Sequence, residues 1–191
     1  MPTLPLILAS NSPRRRQLLT EAGFAFNVIP PHESAEDDGG LGETPRQLVA
    51  RLALQKARDV AQGVERGLVL GCDTVAECGG QILGKPACRE DAHQMLKTLR
   101  GREHRVYSGL CLWRRPDDRS WTEVEVTRLI MDAISDADLE SYLATDAWRG
   151  KAGAFGYQDG LDWVHIIEGS ESNVVGLPLE LLRRMMLQAD E

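Results

Sequence analysis

The spacing of apolar residues changes along the chain, and each change marks an element. Leu6 to Ala9 is a continuous apolar run that stops at Ser10-Asn11-Ser12, as a buried strand does. Ser12 is a natural N-cap and Pro13 suits a first helical position, so a helix is predicted from Pro13 to about Ala22. Phe24 to Ile29 alternates like a strand, and Pro30 to Gly42 is a loop rich in proline, glycine and acidic residues. Thr44-Pro45 opens a second helix with Gln47 as capping-box partner, and Leu48, Val49, Leu52, Ala53, Ala57 and Val60 form its apolar stripe. Gly67 to Ala76 reads as a buried strand. A turn at Glu77 to Gly80 then leads to a short strand, Gln81 to Leu83, completing a hairpin. Glu90 to Leu99 is a helix with Ala92, Met95, Leu96 and Leu99 inward. His104 to Trp113 and Trp121 to Met131 are β-rich runs split by a Pro-Asp-Asp turn, as in an antiparallel meander. Ser135 caps a helix reaching about Ala144, Gly150 to Gly160 is a glycine-dense loop, Val164 to Ile167 is a strand, and Pro178 starts a closing helix through about Leu187. This order predicts a mixed α/β fold with both parallel and antiparallel pairing.

A chain of 191 residues is long enough for one domain with a sizeable core and a cleft. Its net charge of −7 argues against nucleic acid or an anionic membrane as partner, so any bound anion needs a local basic cluster. The N-terminus lacks a charged n-region and a long h-region, and no apolar run reaches membrane-spanning length; cytoplasmic residence is the expectation. Cys72, Cys78, Cys88 and Cys111 form no C-x-x-C pair and no zinc-like spacing with histidine, which reads as reduced structural thiols.

Four polar clusters carry candidate chemistry. Ser10, Ser12, Arg14 and Arg15, with Arg16 beside them, surround the predicted helix start, where free backbone N–H groups favour a polyphosphate. The competing reading is a strand–helix junction with solvated arginines. Glu33, Glu36, Asp37 and Asp38 make an acidic loop that is either solvated or a cation ligand. Asp73 ends an apolar strand and shares a hairpin with Lys85; a carboxylate next to a core is costly without a partner or a task. Lys151 and Gln158 bracket the glycine-dense loop. Lys56 falls on the apolar stripe of its helix, where a lysine either snorkels past the core edge or points into a cleft. The Walker A pattern is absent, and carboxylates with basic residues but no histidine motif point to metal-assisted phosphoryl chemistry.

LILASNSPRRRQLL, LVARLALQKA, GCDTVAECGGQILGKP, GREHRVYSG, GKAGAFGYQ and VVGLP follow one another across almost the whole chain. Six collinear segments of this kind resemble the Maf family of nucleoside triphosphate pyrophosphatases. The resemblance implies a single domain over residues 1–191. It also implies an elongated, mixed, twisted sheet flanked by helices, with two lobes and an active-site cleft, as in inosine triphosphate pyrophosphatases. The implied activity is hydrolysis of a nucleoside triphosphate to the monophosphate and pyrophosphate, dependent on a divalent metal, Mg²⁺ or else Mn²⁺. A homodimer and a link to septum formation are further implications.

By the same resemblance, phosphate binding falls to Ser10, Ser12, Arg14 and Arg15, and Lys56 and Lys85 become active-site lysines. Asp73 is implied as the catalytic carboxylate and metal ligand, Thr74 as a substrate neighbour, and Lys151 and Gln158 as residues on the nucleotide side. The family's second acid aligns with Ala35, between Glu33 and Glu36; Glu36 is taken as the catalytic partner and second metal ligand, with Glu33 as the alternative. Tyr157-Gln158-Asp159 replaces the usual Ile-Gln-Gly. Gln158 resembles the subgroup acting on dTTP and UTP; the alternatives are a 7-methyl-GTP pyrophosphatase and a nucleotide-binding division regulator with little turnover.

Overall fold

The structure is a computed structural model that describes residues 4–32 and 42–189. Strands β1 (Leu6–Ala9), β2 (Phe26–Val28), β3 (Gly67–Cys78), β4 (Gln81–Leu83), β5 (Glu103–Arg115), β6 (Arg119–Met131) and β7 (Val164–Glu168) are joined by helices. These are α1 (Pro13–Glu21), α2 (Pro45–Ala61), α3 (Arg89–Leu99), α4 (Asp136–Ala144), α5 (Glu171–Val175) and α6 (Leu179–Ala189). The strand order is β2-β1-β3-β5-β6-β7, with β4 paired to β3. β1 runs parallel to β2 and β3, whereas β3–β4 and β6–β7 are antiparallel, so the sheet is mixed as expected. Among the described residues no helix is long and apolar enough to cross a membrane.

The backbone groups into two compact units. One takes the described residues up to Asp73, Ser108–Glu125 and those from Gly176 onward; the other takes Thr74–Tyr107 and Val126–Val175.

In the first unit the alternation of side chains along each strand builds two separate cores. Leu6 and Leu8 of β1, Leu68, Leu70 and Cys72 of β3, and Leu110 and Leu112 of β5 pack with Leu19 of α1 and Leu181, Leu182 and Met185 of α6. The intervening residues Ile7, Ala9, Val69 and Cys111 turn to the other face and meet Ala53, Ala57 and Val60 of α2. That helix lies very close to the sheet, and two strand glycines are the reason. A Cβ at Gly71 would collide with the carbonyl oxygen of Ala53 and stand 2.7 Å from the nitrogen of Ala57. A Cβ at Gly109 would meet the Val49 carbonyl in the same way. The start of α2 is fixed by the capping box: Thr44 Oγ1 accepts from Gln47 N at 3.3 Å and Gln47 Oε1 accepts from Thr44 N at 3.0 Å.

The second unit has one core. Ala92, Leu96 and Leu99 of α3, Leu139, Tyr142 and Leu143 of α4, and the loop residues Trp148 and Phe155 cover Ala76, Leu83, Val106, Leu129, Met131 and Val164. A second capping box, Ser135 with Asp138, starts α4. Two differences from the sequence expectations have local causes. β2 starts at Phe26 rather than Phe24, because the Phe24 N–H turns back to the Leu19 carbonyl at 3.0 Å to close α1. Helix α5 has five residues and no apolar stripe to announce it; it is tied down by Asn173, whose amide donates to Val106 O at 3.2 Å and Thr127 Oγ1 at 2.9 Å. All four cysteines are free thiols. Cys72, Cys78 and Cys111 are buried, and burial pushes the Cys111 thiol up to about 11.

Candidate active site

The topology of the first unit places its polar residues. The chain leaves β1 through α1 to β2 on one side, and returns through α2 to β3 on the other side of β1, all three strands being parallel. α1 packs on one face and α2 on the opposite face. The strand order therefore reverses at β1, and the carboxyl ends of β1 and β3, where Ala9 pairs with Gly71, form a topological switch point. In open α/β sheets that is where ligands bind.

Ser10, Ser12, Arg15, Lys56 and Asp73 come together at those strand ends. Ser12 caps α1, with Pro13 in the first turn, and its Oγ accepts from Arg15 N at 3.5 Å. Ser10 is buried, and its Oγ accepts from Ser12 N and from the Arg15 guanidinium, both at 3.2 Å. Arg15 also donates to Cys72 O at 2.7 Å and to Gly176 O at 2.9 Å, so it ties the ends of β1 and β3 to the segment before α6. Arg14 is half-buried on the first turn. Arg16 departs from the expected convergence: it is exposed and donates back to Asn11 O at 3.0 Å. Asp73 follows Val69 and Gly71 on the α2 side of β3 by strand alternation. Lys56 sits in the helical turn that Gly71 admits, and its Nζ donates to Asp73 Oδ1 at 2.7 Å. Lys56 is 4% exposed, so of the two sequence readings the inward one holds, and its buried charge is paired.

The second unit holds the other candidates. Thr74, the residue after Asp73, is half-buried. Lys85 is exposed in the turn after β4, and that turn is joined to the glycine-dense loop by Gly153 N donating to Gly84 O at 3.0 Å. The loop contains two single 3₁₀ turns, Ala152–Ala154 and Tyr157–Asp159. Gln158 is exposed in the second, while Lys151 is buried and ion-paired with Asp159. Asp159 and its second partner, Tyr142, were not singled out as site residues by sequence; Asp159 lies 8 residues from Lys151 and 17 from Tyr142, with no single helix or strand spanning either interval. Glu36 and Glu33 lie outside the described residues.

Among the described residues no three His, Cys, Asp or Glu side chains gather as a metal cluster. Mg²⁺ does not need one: it is commonly held by one or two carboxylates with waters and substrate phosphates completing its shell. Asp73, a hard oxygen donor beside the Ser12-capped start of α1, fits that pattern.

The family model described as Maf-like protein matches residues 5–189. This chain belongs to the Maf family. A Rhodopirellula baltica protein named dTTP/UTP pyrophosphatase is 52% identical over 182 residues, covering 95% of this chain and 80% of that protein. A protein of the same name from Carboxydothermus hydrogenoformans is 42% identical over 182 residues, covering 95% of this chain and 96% of its own length. Among solved structures, a HAM1 protein from Coxiella burnetii superposes with a TM-score of 0.54 at 14% identity, over 97% of this chain and 100% of that one. At that identity the likeness concerns the fold, a mixed sheet flanked by helices.

Proposed function

We propose that this Maf-family chain hydrolyses nucleoside triphosphates between the α and β phosphates, with dTTP and UTP as preferred substrates. The observation that carries the chemistry is the Lys56–Asp73 pair beside the Ser12-capped start of α1, at the carboxyl ends of β1 and β3. The names of the relatives carry the substrate class.

In this reading Arg14, Ser10 and Ser12 bind phosphate oxygens at the start of α1, with Arg15 holding the cradle together. Lys56 fixes the Asp73 carboxylate through Oδ1 and balances its charge. Asp73 takes a proton from water as the water oxygen bonds to the α-phosphorus and the bridging oxygen leaves with pyrophosphate. Lys85 neutralises charge on the leaving group, Thr74 is a substrate neighbour, and Gln158 reads the base. A divalent cation, Mg²⁺ or alternatively Mn²⁺, would be held by Asp73 and Glu36 and supplies charge neutralisation at the phosphates. Cytoplasmic residence, a single functional domain and a homodimer complete the reading; they rest on the sequence and its resemblance alone.

Gln158 carries an amide donor and a carbonyl acceptor, which match the N3–H and a carbonyl of thymine and uracil; cytosine offers an acceptor at N3 instead. Pyrophosphate release from dTTP, UTP, CTP, GTP and 7-methyl-GTP, with and without Mg²⁺, tests the proposal. The expected result is metal-dependent turnover with the highest kcat/KM for dTTP and UTP, CTP being at least about tenfold poorer because mismatched hydrogen bonds leave polar groups unpaired. A preference for 7-methyl-GTP, or binding without turnover, would overturn it.

A further inference from the structure

Asp159 has no role in the chemistry above, yet it is bonded to three other residues, Lys151, Tyr142 and Gly156. Its Oδ2 accepts from Lys151 Nζ in an ion pair and from Tyr142 Oη at 3.2 Å, while its N–H donates to Gly156 O at 3.0 Å. Both side-chain partners sit on well-held parts of the second unit. Tyr142 belongs to the buried core and packs edge-on against Trp163, ring centroids 5.5 Å apart. Lys151 is buried, its N–H donates to Trp148 O at 3.2 Å, and the Trp148 indole donates in turn to Leu143 O at 3.1 Å. Space for the pair exists because residue 156 is glycine: a Cβ there would collide with both Lys151 Nζ and Asp159 Oδ2.

The turn that Asp159 closes, Tyr157–Asp159, is a single 3₁₀ turn with no side-chain cap, and it carries the exposed Gln158. One such turn has no cooperative stability of its own, so its conformation must come from tertiary ties. Tyr157 supplies one by packing against the core. Helix α5 lies against the turn as well. Asp159 adds a polar tie and is the only residue of the turn whose side chain is bonded to Lys151 and Tyr142.

We infer that Asp159 is a positioning residue for base selection: by gripping Lys151 and Tyr142 it sets where Gln158 presents its amide. This deepens the proposed function and rests on its reading of Gln158. It also changes the role of Lys151, whose charge is balanced by Asp159 within the loop. Lys151 is thereby an anchor of the turn rather than a residue lining the nucleotide side.

The test compares kcat/KM for UTP and CTP in the wild type, Asp159→Ala, Asp159→Asn, Tyr142→Phe, Gln158→Ala and the Asp159→Ala/Gln158→Ala double variant. Asp159→Ala should lower the UTP:CTP ratio by about tenfold, the scale of a displaced hydrogen-bonding group, through KM for UTP rather than through kcat. Asp159→Asn can still accept from both partners and should recover most of the ratio. Tyr142→Phe removes one tie without altering charge and should lower the ratio by a smaller factor, which keeps the test decisive if Asp159→Ala fails to fold. The double variant should be no less selective than Gln158→Ala alone, since both changes act through one group. A wild-type ratio in Asp159→Ala or in Tyr142→Phe, or a loss that adds in full to that of Gln158→Ala, overturns the inference while leaving the proposed function standing. A wild type that does not distinguish UTP from CTP overturns the reading of Gln158, and the inference with it.

Discussion

Asp73→Asn is expected to lower kcat for dTTP by about 10²–10⁴-fold, the cost of losing a positioned proton acceptor, while KM changes little. The substitution keeps the shape of the side chain and an oxygen able to accept from Lys56. What it removes is the charge, and with it the basicity that draws a proton from water and the attraction for a divalent cation. A second consequence follows from burial. Lys56 is 4% exposed and would lose its counter-charge, and breaking a buried pair costs roughly 3–5 kcal/mol when one partner is removed. The lower end applies, because Asp73 retains some solvent contact and asparagine keeps the hydrogen bond. Kinetics should therefore be paired with a thermal melt and run well below the variant's midpoint. A folded Asp73→Asn protein with kcat within a few-fold of wild type would remove Asp73 from the chemistry.

Gly71→Ala is expected to destabilise the protein by about 3 kcal/mol or more, at or beyond the upper end of ordinary overpacking. The added methyl collides with a backbone carbonyl of α2, and backbone cannot swing aside as a flexible side chain can. Relief requires α2 to lift from β3, and Lys56 lies in the turn that would move, between Ala53 and Ala57. Activity should thus fall together with stability, although residue 71 offers no functional side chain. Urea unfolding measures the first effect. Gly63→Ala is the control: its Cβ would find only Val60 O, at an ordinary 3.8 Å, and little change is expected. Equal midpoints for the two variants would show that the close approach of α2 to the sheet contributes nothing.

The contrast between what was legible in the sequence and what was not follows from the range of the forces involved. Local signals were readable: Ser12-Pro13, the Thr44–Gln47 box and Ser135 start helices where their chemistry says they should. Period-two and continuous apolar runs marked the strands. Placing Lys56 on the apolar stripe of α2 identified its face but not what stands opposite, which is why snorkelling and an inward course both remained open. The answer depends on β3, where strand alternation and Gly71 bring Asp73 to that face. Gly71 and Gly109 stand inside strand-like runs, but the close approach they permit involves partners on α2 that are distant in sequence. Asp159 was noticed only as a departure from a family pattern; its ties to Lys151 and Tyr142 span a loop without periodicity. Lys151 was expected to line the nucleotide side, and only the ion pair with Asp159 suggests a different task.

The most direct test of the account is the site of attack in the wild-type reaction, read by hydrolysing dTTP in H₂¹⁸O with Mg²⁺ and analysing both products by mass spectrometry. Water activated at Asp73 bonds to the α-phosphorus, so the account predicts one ¹⁸O in dTMP and none in pyrophosphate; label in pyrophosphate with unlabelled dTMP would place the attack at the β-phosphorus and contradict it.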